Sequence, residues 1–298
     1  MAASMSGQRE STGADPVCVV TGATSGIGWE TARALGRRGG IVVVLGRHPA
    51  RTAAAALALS HEFPSAKFLP VAGDLSDQVE LRRVAAEVRA VAPAIDVLVN
   101  NAGAIFSRFE TTTEGIERTW ALNVLAPFLL TTLLLEPLRG AAPSRVVMVS
   151  SAAHRGVHLR LDTHDTPRRY SGYGTYGRSK LALLLLTREF ARRLDPQEVC
   201  VNAAHPGFVA TRFGTNNPGF YGLGFGVLSR VFGVSASAGA RTPVYLASAP
   251  ELIGVSGGYF VRQRPSPGSQ ASRELDTAAH LWTRCLEQTG ERTPLARR

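Results

Sequence analysis

The sequence predicts an α/β fold: a doubly wound, seven-stranded parallel sheet flanked by helices in a single domain, with a lid and a C-terminal extension. Three observations predict it. Apolar, β-branched runs alternate with helix-like patterns almost to the end of the 298 residues, the signature of βαβ units. The runs are apolar throughout rather than every second residue, as strands buried on both faces are. The first run leads directly into a glycine-rich turn that opens a helix, and a turn of that kind marks a dinucleotide-binding, Rossmann-type sheet.

In chain order, strands are expected at Val17–Thr21, Ile41–Leu45, Lys67–Val71, Ile95–Asn100, Arg145–Ser150, Val199–Ala204 and Gly258–Val261. Between them lie helical patterns at Ile27–Arg38, Ala50–Glu62, Gln78–Ala92, Glu114–Arg139, Gly174–Leu194 and Ser235–Ala249. Right-handed crossovers then wind the sheet in both directions. No Pro-, Gly- or Ser-rich linker divides the chain. The expected organisation is a disordered tail over 1–15, the catalytic domain over 16–262 and an extension over 263–298 with a surface helix around Ser272–Gln288. Two segments break the rhythm: a polar insertion, Ala152–Gly172, and a Gly- and aromatic-rich stretch, Thr211–Gly233. Long loops in a compact domain are usually lids or binding loops.

Composition excludes several classes. The net charge of +10 comes from scattered Arg residues without a basic run, so no nucleic-acid partner is expected. Cys18, Cys200 and Cys285 form no CxxC, and His154, His158, His164 and His205 form no HExxH; neither zinc nor another metal is expected. Buried, inert thiols suit a reducing cytoplasm. No run of about 18 apolar residues suggests a membrane span, and the polar N-terminus has no signal-peptide core.

The turn Thr21-Gly-Ala-Thr-Ser-Gly-Ile-Gly28 has the properties of a pyrophosphate cradle. Gly22, Gly26 and Gly28 permit a tight turn and close approach, and the helix N-terminus offers free N–H groups. The second strand ends in Gly46-Arg47-His48, where a carboxylate would hold a ribose 2′-hydroxyl. Arg47 suits a 2′-phosphate instead, with Ser25 as a further donor, so NADP(H) is expected rather than NAD(H). Asp74, after the third strand, either accepts from an adenine amino group or caps the following helix. Asn100-Asn101-Ala102-Gly103 lines the cleft at the carboxyl edge of the sheet.

Ser150-Ser151 follows the fifth strand, and Tyr176-Gly-Arg-Ser-Lys180 lies on the next helix. Positions i and i+4 share a helix face, so the ammonium stands beside the phenol, and a cation there lowers the phenol's pKa. Tyr176 then serves as general acid in reduction and general base in oxidation. Ser151 donates to the oxygen on which charge develops. Of 33 basic Lys and Arg residues only Lys67 and Lys180 are Lys, so the choice of a compact point charge at 180 is pointed. Asn is equally scarce, and three of the six, Asn100, Asn101 and Asn123, fall where amides are wanted.

TGATSGIG, NNAG, Asn123 in Ala-Leu-Asn-Val, VSS, YGRSK and His205-Pro-Gly-Phe-Val-Ala-Thr211 together resemble the short-chain dehydrogenase/reductase family, and most of all its retinol dehydrogenase-like and WW-domain oxidoreductase-like members. The resemblance spans roughly residues 16 to 262. It implies a catalytic tetrad of Asn123, Ser151, Tyr176 and Lys180, with Asn123 holding a water that relays protons from Lys180. Lys180 would also hold the nicotinamide ribose, Pro206 and Gly207 would border the nicotinamide, and Thr211 would bind its carboxamide. Thr24, Ile27, Leu75 and Val209 complete the implied cofactor contacts. Tyr170 and Tyr173 lack a Lys four residues on and rank below Tyr176.

The expected activity is interconversion of a ketone or aldehyde with an alcohol on a small, lipophilic molecule. An NADPH-binding regulator, or an epimerase or cyclase on the same scaffold, is the alternative. The 211–233 segment reads as an apolar lid, as a helix packed on the core or, less favoured, as a shallow membrane contact. The apolar run Leu181–Phe190 packs either inside the chain or across the two-fold interface of a homodimer.

Overall fold

The computed structural model describes residues 15–161, 167–207 and 235–292. Its sheet is built from β1 (Val17–Thr21), β2 (Gly40–Gly46), β3 (Ala66–Ala72), β4 (Val97–Asn100), β5 (Ser144–Val149), β6 (Val199–His205), β7 (Tyr259–Val261) and β8 (Arg264–Ser266). Their order is β3-β2-β1-β4-β5-β6-β7-β8. Every pairing is parallel except β7 with β8. The doubly wound architecture is therefore as expected, with eight strands rather than seven. β8 is three residues long and contains Pro265. It is too short to show a period, and its proline is tolerated because only an edge strand can spare an N–H. On the opposite edge, β3 exposes Lys67 and Pro70, which discourages pairing with another sheet.

Side chains alternate along the strands between two apolar layers. Val19, Val43, Leu98, Val146 and Val201 face one, and Val20, Val42, Val44, Val99 and Val147 face the other. The second layer is closed by α1 (Gly26–Gly36), α2 (Pro49–Glu62) and α8 (Ala236–Ser248). The first is closed by α3 (Gln78–Val91), the short helices α4 (Arg118–Trp120), α5 (Ala126–Leu133) and α6 (Leu135–Gly140), then α7 (Gly172–Arg193) and α9 (Leu275–Thr289). In α7, Leu181–Leu186 and Phe190 are buried in the chain's own core. On α9, Leu281, Trp282 and Cys285 are buried against that same layer, so the extension contributes core as well as surface.

The expected helix Glu114–Arg139 is not continuous. Glu117 starts it by accepting from the N–H groups of Thr119 and Trp120. A π turn, Ala121–Leu125, interrupts it. Pro127 then opens α5, and α6 starts separately at Leu135. The backbone stays helical ahead of Pro127, with Leu125 at φ −70° and ψ −37°, and the proline, which has no N–H to give, directly follows the wider π turn in which Ala126 N–H reaches the Ala121 carbonyl. The π turn carries Asn123, and π turns inside helices are frequent at functional positions.

Candidate active site

The elements that end at the carboxyl edge of β1, β4, β5 and β6 converge on one cleft, at the switch point where the strand order reverses. The glycine turn is tied to the strand beside it through Thr21. Its Oγ1 accepts from the N–H groups of Asn101 and Ala102, both at 2.9 Å. Asn101 returns an Nδ2 hydrogen bond to the Thr21 carbonyl at 2.8 Å. Gly22 takes φ +66° and Gly26 φ +58°, a region that side chains rarely adopt. A Cβ on Gly28 would stand 2.2 Å from the Gly22 carbonyl oxygen, so the start of α1 can press on the turn only through glycine. Ser25, at the N-cap, is exposed and makes no side-chain capping bond. The N-terminus of α1 thus presents free donors and a positive dipole end at the cleft. Gly46 lets the end of β2 approach the turn, since a Cβ there would meet Thr24 Cγ2 at 2.5 Å. These features fit a dinucleotide pyrophosphate.

Arg47 is exposed at the end of β2, its Nε 3.2 Å from His48 Nε2, and no carboxylate follows that strand. Asp74 does not cap the next helix. The N-cap of α3 is Asp77, which accepts from Val79 and Glu80. Asp74 instead accepts from the Ser76 N–H at 2.9 Å and the Ser76 hydroxyl at 2.7 Å, with Arg118 at 3.8 Å from its other oxygen. Leu75 is buried beneath.

Asn123, Ser151, Tyr176 and Lys180 are brought to the same end of the sheet. Asn123 is fully buried. Its Oδ1 accepts from the Ala104 N–H at 3.0 Å, and its Nδ2 donates to the Ala104 carbonyl and to Ser179 Oγ. Both amide protons are thus used within the protein. Ser179 in turn donates to the Tyr176 carbonyl at 2.7 Å. Lys180 is 4% exposed and donates from Nζ to the Val149 carbonyl at 2.9 Å. Gly103 leaves it room: a Cβ there would lie 3.1 Å from Asn123 Oδ1 and 3.4 Å from Lys180 Nζ. Ser150 ends the ladder by donating its N–H to the Ala204 carbonyl, and its hydroxyl donates to the Lys180 carbonyl at 3.1 Å. Ser151 follows, with its Oγ accepting from Ala153 N–H at 3.2 Å.

The electrostatics depart from the sequence expectation for Tyr176. Its phenol is held above its ordinary value, chiefly by burial; a hydrogen bond with Ser151 opposes this and Tyr173 adds to it. Lys180 Nζ lies over the ring, 5.6 Å from its centroid, and donates to the Val149 carbonyl, while burial sets the direction of the phenol's shift. Burial also brings Lys180 itself down to about 8, so its charge is lost only as pH rises through that value. Tyr170 is engaged elsewhere. Its hydroxyl lies 2.9 Å from Glu117 Oε1 and 3.0 Å from the Phe106 carbonyl, which pins the chain before α7. Tyr173 is an exposed side chain.

At the end of β6, burial brings His205 down to about 4, and Gly207 turns at φ +85° after Pro206. Val209, Thr211 and the 211–233 lid lie outside the described residues, as do most of the 1–15 tail and His164. Three residues that touch the site residues carry no role in the sequence analysis: Thr21, Ser179 and His154, whose imidazole lies against the Ser151 carbonyl. The first two stand inside the motifs that were recognised, where hydroxyls at those positions were the available signal. His154 lies in the polar insertion and carries no motif. Among the described residues no group of His, Cys, Asp and Glu could hold a metal, and no helix is long and apolar enough to cross a membrane.

Known proteins resemble the chain over nearly its whole length. The family model described as short chain dehydrogenase matches residues 16–219. Retinol dehydrogenase 12 of Mus musculus is 38% identical over 92% of this chain and 86% of its own. Retinol dehydrogenase 14 of Homo sapiens is 38% identical over 92% and 88%. WW domain-containing oxidoreductase of Danio rerio is 37% identical over 90% of this chain and 67% of its own. Among solved structures, an uncharacterised protein from Mycobacterium paratuberculosis shares the fold with a TM-score of 0.74 and 32% identity, covering 93% and 94% of the two chains.

Proposed function

Because the chain belongs to the short-chain dehydrogenase family, in its retinol dehydrogenase-like subgroup, we propose that it is an NADP(H)-dependent oxidoreductase that interconverts a ketone or aldehyde with an alcohol on a small lipophilic molecule. The observation that carries this reading is the joint placement of Ser151, Tyr176 and Lys180 beside a glycine turn whose helix donors are free. Retinol is named for the relatives and is taken as the model of the substrate class. A reducing cytoplasm, where NADPH predominates, is the proposed setting.

In this proposal the first N–H groups of α1, with Thr24, Ser25 and Ile27, hold the pyrophosphate. Arg47 and Ser25 face the 2′-phosphate. Asp74 and Leu75 border the adenine. Asn101, Ala102 and Gly103 line the ribose side, and Pro206 and Gly207 border the nicotinamide. The bound cofactor supplies or accepts hydride. During reduction, Ser151 Oγ donates to the carbonyl oxygen as it gains charge, and Tyr176 transfers its phenolic proton to that oxygen. Burial that raises the phenol's pKa keeps the proton on Tyr176 until charge develops. Lys180 then stabilises the phenolate and positions the ribose. Asn123 fixes the floor of the site through Ala104 and Ser179.

Replacing Tyr176 with Phe tests the proposal. NADPH oxidation with decanal and all-trans-retinal should fall at least about a hundredfold, while NADPH fluorescence titration is unchanged. Full turnover in Y176F refutes the assigned chemistry. NADPH binding without turnover in the wild type, on these and a wider carbonyl panel, moves the assignment to an NADPH-binding regulator.

A further inference from the structure

We propose that His154 is a positioning residue for Ser151, holding the peptide of that serine so that its hydroxyl meets the substrate oxygen. The inference rests on Ser151 acting as assigned above.

Ser151 sits where the sheet has let go of the chain. β5 ends at Val149, the last ladder bond is made by Ser150 N–H, and Ser151 is extended (φ −153°, ψ 157°) before the 3₁₀ turn Ala152–His154. Two donors reach its carbonyl oxygen. The His154 backbone N–H is distant, at 3.4 Å. The His154 imidazole is close, with Nδ1 at 2.6 Å. A carbonyl only accepts, so Nδ1 carries the hydrogen and the tautomer is fixed. Burial lowers the ring's pKa, against the hydrogen bond with Ser151, which raises it.

The ring is itself held. His154 is fully buried and meets Tyr259 edge-on, with centroids 5.2 Å apart. Its turn is clamped from the other side by α7, where a Cβ on Gly177 would stand 2.8 Å from the Ala153 carbonyl oxygen. Gly177 directly follows Tyr176, so the clamp fixes Ser151 relative to the phenol.

Packing alone does not account for a histidine here. Nε2 is buried and has no hydrogen-bond partner among the described residues, which costs stability. An apolar ring would fill the same space without stranding that nitrogen. Among the described residues the bond to Ser151 is the one hydrogen bond that the imidazole makes, and orienting that peptide is what it offers. Misplacement of a reacting group by about 1 Å costs on the order of a hundredfold in rate.

The test compares H154F, which keeps a ring against Tyr259 and removes the donor, with H154N, whose side-chain amide can donate from near the position of Nδ1. Each is made in wild-type and S151A backgrounds. Turnover is measured with NADPH and whichever of decanal and all-trans-retinal the wild type reduces faster, alongside NADPH titration and thermal unfolding. The proposal expects H154F to lose about tenfold or more in kcat, with NADPH affinity within about twofold of wild type. H154N should recover to within about fivefold of wild type. In the S151A background, H154F should cost little more, because a residue that acts through Ser151 has nothing left to position. Wild-type kcat in H154F, equal losses in H154F and H154N, or a full additional loss on top of S151A each overturn it. Full activity in S151A itself instead refutes the assigned role of Ser151.

Discussion

Asn123 is joined to Tyr176 through a single hydroxyl: its Nδ2 donates to Ser179 Oγ at 3.0 Å, and Ser179 donates onward to the Tyr176 carbonyl at 2.7 Å. The π turn and α7 are thereby locked across the floor of the site. Replacing Ser179 with Ala strands a buried amide proton. The expected cost is about 1–3 kcal/mol of stability, read by urea denaturation, with a fall in kcat that exceeds any change in NADPH affinity. Unchanged stability would mean that the link is not formed in solution.

Lys180 gives a pH signature of known sign. Burial takes its pKa from 10.5 to about 8, so between those values the unfolded chain holds a proton that the folded chain has released. Stability relative to the K180M variant should therefore rise with pH across that window. Turnover should move the opposite way and fall as pH rises through about 8, because the ammonium is lost. Denaturation and kcat profiles of the two proteins over pH 7 to about 10.5 check both directions. A wild-type minus K180M stability difference that is flat with pH contradicts the buried ammonium.

Arg47 should decide between the two cofactors. Replacing it with Asp removes the donor proposed for the 2′-phosphate and introduces an acceptor for a ribose hydroxyl. A charge-assisted hydrogen bond is worth roughly 1.5–3 kcal/mol. NADPH binding should then weaken about tenfold to a hundredfold while NADH binding tightens. Parallel fluorescence titrations of R47D and wild type decide it. Equal weakening of both cofactors would place Arg47 outside the 2′-phosphate site.

Sequence and structure agree most closely where one local period or motif dominates. β1 matches the expected bounds to the residue, and β2, β3, β5 and β6 to within one at each end; in β1, β2 and β5 runs of Val and Ile leave no competing pattern. The TGATSGIG and YGRSK motifs carry their neighbours' spacing with them, so Thr21 and Ser179 were on the page even without a role. Features that arise from contacts between distant segments were not legible. The π turn at Asn123 falls in a run, residues 121–130, that is apolar at every position but Asn123, so the phase shift it introduces leaves no mark in the pattern. The role of Asp77 rather than Asp74 as helix cap depends on one turn of backbone. The direction of the Tyr176 shift is set by burial, and a spacing of four residues fixes the shared helix face without reporting how deeply that face is buried.

The C-terminal helix α9 makes the last of these long-range contacts, and its weight can be measured. Trp282 is 2% exposed. Its ring meets Phe128 of α5 and Phe190 of α7 edge-on, with centroids 5.0 and 4.8 Å away, and the Arg193 guanidinium lies 4.5 Å from its centroid. Aromatic and cation–π contacts add to the area that such a ring buries. Truncation to Ala should cost about 3–5 kcal/mol, a large part of the margin of a domain this size. α5 continues from the π turn that carries Asn123, and α7 carries Tyr176 and Lys180. W282A should therefore lose turnover at a lower temperature than wild type, while both have similar kcat well below the transition. Urea denaturation and rate–temperature curves test the two statements separately. Loss of less than about 1 kcal/mol would mean that α9 is not docked in solution as it is here.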